Sequence, residues 1–180
     1  MGKATQDLRK EHDAVLYVMQ LMDKMMLQDS KENESMLLYY DEVLYFLKTF
    51  VDKCHHGKEE NFLFKELQRK GIPNDGGPIG VMLQEHALGR SYIAQMSKTL
   101  EAKDVDGFNA VAANYCDLLR NHIEKEDRVL FTLADQTIDE AGQEQLFEEF
   151  EQFEENVIGH GLHEKLHANI NKWAEVFDAD

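Results

Sequence analysis

Two short stretches hold the residues whose types and spacing could do chemistry: His122-Ile123-Glu124-Lys125-Glu126 and His56-Gly57-Lys58-Glu59-Glu60. In each, a His is followed four residues later by a Glu, and an apolar run comes next, Val129-Leu130-Phe131 in one case and Phe62-Leu63-Phe64 in the other. A lone His stands upstream of each, preceded by Glu: Glu11-His12 and Glu85-His86. The chain therefore runs His, HxxxE, His, HxxxE. On a helix, positions i and i+4 share a face. Each HxxxE then sets an imidazole nitrogen beside a carboxylate oxygen, a pair suited to a divalent metal ion.

Helices must position these residues, and the apolar spacing supplies them. Leu8, His12, Val15, Met19, Met22 and Met26 step by fours and threes, so a helix is expected from Ala4 to about Gln28. The polar stretch Asp29 to Glu34 reads as a turn. A second helix is expected from about Glu34 to Arg69, with Val43, Phe46, Phe50, His56, Glu60, Leu63 and Leu67 on one face and a local kink at Gly57. Lys70 to Gly77 is a strong breaker. A third helix starts near Pro78 and carries Met82, His86, Gly89, Ile93, Met96 and Leu100. After a turn over Lys103 to Gly107, a fourth carries Phe108, Val111, Tyr115, Leu118, His122, Glu126, Val129 and Leu133. Thr137 with Glu140 fits a capping box, and helical spacing resumes through Leu146, Phe150, Phe153 and Val157, then Leu166, Ile170, Trp173 and Phe177.

The expected architecture is all-α: an up-down-up-down four-helix bundle over residues 1–136, with a C-terminal helical extension over 137–180 packed on it. At 1.5 Å per residue, His86 lies roughly 12 Å and Glu60 roughly 14 Å from the shared turn. His86 and His122 are roughly 23 to 25 Å from theirs. His56, Glu60, His86 and His122 can thus meet at one level. His12 fits less well, by roughly 10 Å.

Composition narrows the classes of function. The chain has 180 residues and a formal charge of −16, so nucleic acid and anionic membrane are expected to be repelled. Cys54 and Cys116 form no CxxC pattern and suggest no disulfide framework. The stretch from Gly2 to Arg9 is polar and carries no signal-peptide pattern, and no apolar run is long enough to span a membrane. A reducing cytoplasm is the expected location.

Glu60 and Glu126 fall on apolar stripes, and an unpaired buried carboxylate costs several kcal/mol. Lys58, Lys125 and Arg128 lie off those stripes. Four His and two Glu from four helices can instead be satisfied by two divalent ions, with both Glu bridging. Single zinc sites more often use three or four ligands around one ion, so iron is the preferred metal. Octahedral iron would keep positions for a small added molecule.

On these residues the chain resembles the hemerythrin-like (HHE cation-binding) family, over about residues 4 to 134. The resemblance implies a non-haem di-iron centre, with an oxo or hydroxo bridge and ligands His12, His56, Glu60, His86, His122 and Glu126. In the oxygen-carrying hemerythrins an HxxxH pair and a late Asp complete the site, with five His in all. Here Glu85-His86-Ala87-Leu88-Gly89-Arg90 has no second His, and the late carboxylate is Glu126. The pattern is closer to relatives proposed to sense or detoxify O2, NO or peroxide. The resemblance therefore implies a small diatomic or peroxide ligand. The alternative is an iron-sensing, storage or repair module whose folding depends on iron.

Other residues have simpler readings. His163-Glu164-Lys165-Leu166-His167 matches HExxH, the zinc-peptidase helix. It is short, and no third ligand follows, so a fifth helix laid on the bundle is expected, with His160 or His163 as a candidate extra ligand. His55 is about 100° from His56 on an α-helix and is expected at the surface. Tyr115 and the methionines at 19, 22, 25 and 26 are expected in the core. The eight carboxylates between Asp139 and Glu155 are expected to line a solvated face.

Overall fold

The computed structural model describes residues 1–28 and 33–178. Among the described residues there are six helices and no strand. Helix α1 is Lys3–Met26. Helix α2 spans 33–69 and changes its winding on the way: α-helical over Asn33–Phe46, π-helical over Leu47–His56 and again over Glu59–Leu63, then α-helical over Phe64–Arg69. Helix α3 is Pro78–Glu101. Helix α4 spans 105–137, α-helical over Val105–Lys125, π-helical over Glu126–Leu130 and α-helical over Phe131–Thr137. Helices α5 (Glu140–Val157) and α6 (Leu162–Phe177) follow. The first four form the expected up-down-up-down bundle. The turn expected at Asp29–Glu34 falls mostly on residues 29–32, outside the described residues.

Local chemistry explains most boundaries. Gly77 precedes α3 and Pro78 opens it, where its missing N–H costs nothing. The breaker before it uses Gly71 and Gly76 at φ +94° and +72°, a region that favours glycine. The turn into α4 is shorter than expected. Asp104 caps the helix by accepting from the Gly107 N–H at 2.8 Å, so Gly107 is already helical. The cap of α5 is also not the expected one. Asp139 accepts from the Gly142 N–H at 2.9 Å, while Thr137 ends α4 and donates its hydroxyl to the Leu133 carbonyl at 2.7 Å. A carboxylate two positions nearer the helix displaces the Thr137–Glu140 box.

The apolar core comes in two parts. One holds Val15, Met19, Val51, Phe108, Leu119 and Ile123, with Leu166, Ile170 and Trp173 of α6 packed onto it. The other holds Leu8, Leu63, Phe64, Met82, Leu130 and Phe131, with Leu146 and Phe150 of α5. Between them lies a layer of buried polar residues: His12, His55, His56, Glu59, His86, His122 and Glu126.

Gly57 lies between the two π-helical runs of α2. Its backbone is helical, at φ −62° and ψ −41°. It admits α5, since a Cβ there would come within 2.8 Å of the Phe153 ring. His55 is buried at 2 % exposure rather than at the surface. The π winding explains this. Each i→i+5 turn takes one more residue than an α turn, so adjacent side chains are separated by a smaller angle and the downstream face shifts. The same shift turns Val129 outward, at 53 % exposure, and Leu130 inward.

Candidate metal centre

Five imidazoles and two carboxylates converge in the polar layer. They form two groups tight enough for an ion, His56–Glu59–His86–His122 and His12–His55–Glu59–Glu126. Glu59 belongs to both. Its Oε1 lies 3.4 Å from His55 Nε2 and its Oε2 lies 3.3 Å from His86 Nε2. Glu126 spans the layer in the same way, with Oε2 3.2 Å from His12 Nε2 and Oε1 3.1 Å from His122 Nε2. Each carboxylate therefore offers one oxygen to each group.

The outward edges of the rings are anchored. His12 Nδ1 meets Asp127 at 2.9 Å, His55 Nδ1 meets Glu11 at 2.7 Å, His86 Nδ1 meets Glu60 at 2.7 Å and His122 Nδ1 meets Glu85 at 2.9 Å. A carboxylate can only accept, so each Nδ1 carries the proton and donates. In the neutral ring, Nε2 is then left with its lone pair aimed at the layer. This is the arrangement that orients metal-binding histidines. Among the described residues, His56 Nδ1 faces Asp52 at 3.5 Å and makes no hydrogen bond.

The anchors follow a rule. The Glu before each lone His, Glu11 or Glu85, holds the His of the following helix, His55 or His122. The acid after each spanning Glu, Glu60 or Asp127, holds the lone His of the other pair, His86 or His12. Cations back three of the anchors: Lys58 on Glu11 at 2.6 Å, Arg90 on Glu60 at 2.7 Å and Lys125 on Glu85.

Of the residues expected from the sequence, His12, His56, His86, His122 and Glu126 meet in the layer. His12 joins them despite the difference in arm lengths expected from the sequence. Glu60 does not meet them. Its side chain is 25 % exposed and joins His86 Nδ1 to Arg90 on the rim. Glu59, fully buried, stands in the layer instead. The sequence contains two overlapping HxxxE frames, His55–Glu59 and His56–Glu60. An α-helical register cannot choose between them. Aligning Glu59-Glu60 with Glu126-Asp127 would have chosen the first.

Neither His160 nor His163 reaches the layer. His163 packs on Phe50 and faces Glu154 at 3.6 Å. Among the described residues, no ion-competent group includes His160, His163 or His167. Tyr115 is core, with its hydroxyl unpartnered among the described residues.

The unpartnered atoms show that the layer suits a cation. All four oxygens of Glu59 and Glu126 are buried, and none makes a hydrogen bond of acceptable geometry despite the nearby nitrogens. His12 and His55 bring their Nε2 atoms to 3.0 Å, and His86 and His122 to 3.2 Å. Two facing lone pairs repel unless a cation lies between them. The electrostatics agree. Burial and Glu126 both raise the Glu59 carboxyl, yet His55 and His86 hold it down to about 2. Burial opposes protonation of His122, but Glu126 and Glu85 push it up to about 10. Burial likewise opposes protonation of His55, and Glu59 with Glu11 raises it well above its ordinary value. The layer calls for positive charge, which protons supply without a metal and divalent ions would supply with one. His56 differs, because burial and then the charge of His86 hold it well below its ordinary value. It stays neutral, with a lone pair to give.

The chain matches the hemerythrin HHE cation-binding domain over residues 3–134, and it belongs to that family. The matched span runs from the start of α1 nearly to the end of α4. No curated protein and no solved structure gives a match. No described helix is long and apolar enough to cross a membrane.

Proposed function

We propose that residues 1–136 hold a pair of iron ions, that residues 137–180 cover them, and that the centre binds or reacts with O2, NO or peroxide. The ligand set we favour is His12 and His55 for one ion and His56, His86 and His122 for the other, with Glu59 and Glu126 bridging. It differs from the set the family resemblance implied by taking Glu59 in place of Glu60 and adding His55. A bound iron pair supplies one-electron redox steps and coordination positions the protein leaves open. The chain's part is to fix the imidazole lone pairs, hold two negative charges between the ions and keep water out.

The observation that carries the small-ligand reading is a narrow gap beside the rings. It is lined by His12, His55, His56 and His122 together with the buried Val15, Val51, Leu119 and Ile123. The gap is too tight to hold even a water molecule, so it excludes large ligands, and a diatomic or peroxide would enter only as side chains such as Val51 move aside. Its walls offer no carboxylate or hydroxyl to move a proton, so the reading stops at binding and electron transfer. The test is to reduce the iron-loaded protein and add O2, NO or H2O2 while recording the visible spectrum. A new band with one of them, reduced in Val51→Phe, supports the reading; no spectral response to any of the three overturns it.

A second reading, an iron sensor, draws on the polar layer itself. Metal binding and folding are coupled where unmetallated ligands are costly to bury. Thermal unfolding with and without iron separates the two. A chain that unfolds on iron removal, and shows no small-ligand band when loaded, is a sensor.

A further inference from the structure

Lys58 is 1 % exposed, and its ammonium pairs with carboxylates outside the polar layer. Its ammonium is held by Glu11 Oε1 at 2.6 Å, Glu154 Oε2 at 3.0 Å and Asp7 Oδ2 at 3.2 Å. A buried ammonium without partners would cost several kcal/mol, so three carboxylates around it are physically apt. Glu11, Cys54 and Glu154 lie close enough together to hold a metal ion, but the lysine already fills that place with its own charge.

The two oxygens of Glu11 are divided. Oε1 takes Lys58, and Oε2 takes His55 Nδ1 at 2.7 Å. Those of Glu154 are divided too, with Oε2 on Lys58 and Oε1 3.6 Å from His163 of α6. A line of charge-assisted contacts therefore runs from the C-terminal extension to the centre: Glu154, Lys58, Glu11, His55. The other two anchor cations end in solvent, since the side chains of Arg90 and Lys125 are 42 % and 44 % exposed. Water can replace those two, but it cannot replace Lys58.

We infer that Lys58 is a positioning residue for His55, acting through Glu11, and that Glu154 makes the C-terminal extension part of the His12–His55 half of the centre. The inference rests on the proposal that His55 is a ligand of a bound metal pair. Without Lys58, Glu11 is free to turn toward solvent, and the His55 ring loses both its orientation and its fixed tautomer. Without the Glu154 carboxylate, Lys58 keeps two partners, so the effect is in the same direction and smaller.

The test uses the full chain as wild type, Lys58→Met and Glu154→Gln, each loaded with isotopically enriched ferrous iron. Mössbauer spectra, iron release to a chelator and helical circular dichroism are recorded. The wild type is expected to show two iron environments of similar area. Lys58→Met is expected to shift or lose one of them and to release that iron about 10-fold faster or more, the usual scale for residues that orient a metal ligand. Glu154→Gln is expected to move the same environment by less. Two unaltered environments in both variants would overturn the inference and leave the metal-pair reading standing, whereas a wild type without two irons would overturn both. Parallel loss of the two environments would assign Lys58 to general stability and also overturn the inference. Should Lys58→Met fail to fold, Glu154→Gln decides: a shift confined to one environment supports the positioning role, and an unchanged spectrum with an unchanged release rate overturns it.

Discussion

The His12–His55 half of the polar layer and the His56–His86–His122 half share a plan and differ in finish. Both face one oxygen of Glu59 and one of Glu126. In both, a lone His from an odd-numbered helix meets a His from the next helix with the Nε2 atoms 3.0 to 3.2 Å apart. Only the second half gains a third imidazole, His56. Only the first is backed by a buried cation. The half with fewer imidazoles is thus the one tied most firmly to the rest of the protein. On our reading it is also the half with a coordination position to spare. Rigidity of the ligands and openness to a visitor need not compete: the anchors sit on the outer edge of each ring and the gap on the inner one.

The sharpest way to break this comparison is to remove one His from each half. We expect His55→Ala to lose about one iron per chain, because one imidazole and two shared carboxylates make a poor site for that ion. His56→Ala leaves the second half with the ligands the first half has by nature. It should keep both ions and change the spectrum only. Metal analysis beside the visible spectrum checks both.

The anchors come next in size. Glu85→Ala and Asp127→Ala should each weaken iron binding by about 10- to 100-fold, read from competition with a chelator. Equal losses from the two would mean that the halves do not differ in how firmly their rings are held; we expect the larger loss for Glu85, which is less exposed than Asp127 (18 % against 35 %).

Gly57→Ala tests the contact between α2 and the extension rather than the ligands. A methyl group there meets the Phe153 ring, and overpacking of this kind costs about 1 to 3 kcal/mol, measurable by denaturant unfolding. Iron content should stay the same.

The smallest effect lies farthest from the centre. Trp173, the only tryptophan, donates its Nε1–H to Glu42 at 2.9 Å, and Lys172 lies 2.7 Å from the same carboxylate. Burial would raise the Glu42 carboxyl, but these donors hold it below its ordinary 4.5. A depressed carboxyl contributes stability that is complete above the unfolded value and is lost as pH falls through the folded one. Trp173 fluorescence should therefore report weakened docking of α6 only below about pH 4.5, and Glu42→Gln should flatten that transition.

Much of this was legible in the residues. The stripes of α1 and α3 place Leu8, His12, Val15, Met82, His86 and Ile93 in the interior as expected, because those helices keep one winding throughout. The errors cluster where the winding changes. His55 lies within one π-helical run, Glu59 and Glu60 open a second, and Val129 and Leu130 close a third, so a 100° step misplaces their faces. No residue type announces a π turn. The doubled His-His and Glu-Glu pairs were the only trace of it. Lys58 was set aside as lying off the stripe, and a stripe could not show that the extension would bury it. The cap of α5 went to Asp139 because a nearer carboxylate outcompetes a distant hydroxyl for the same N–H groups.

The central claim is that Glu59 rather than Glu60 lies between two metal ions. The most direct test is the iron content of Glu59→Gln and Glu60→Gln, prepared side by side with excess ferrous iron. We predict that Glu59→Gln holds almost no iron, since one neutral amide replaces a charge shared by both ions. We predict that Glu60→Gln, which can still accept from His86 Nδ1, holds about two irons per chain. The reverse outcome, with iron kept in Glu59→Gln and lost in Glu60→Gln, would contradict the account.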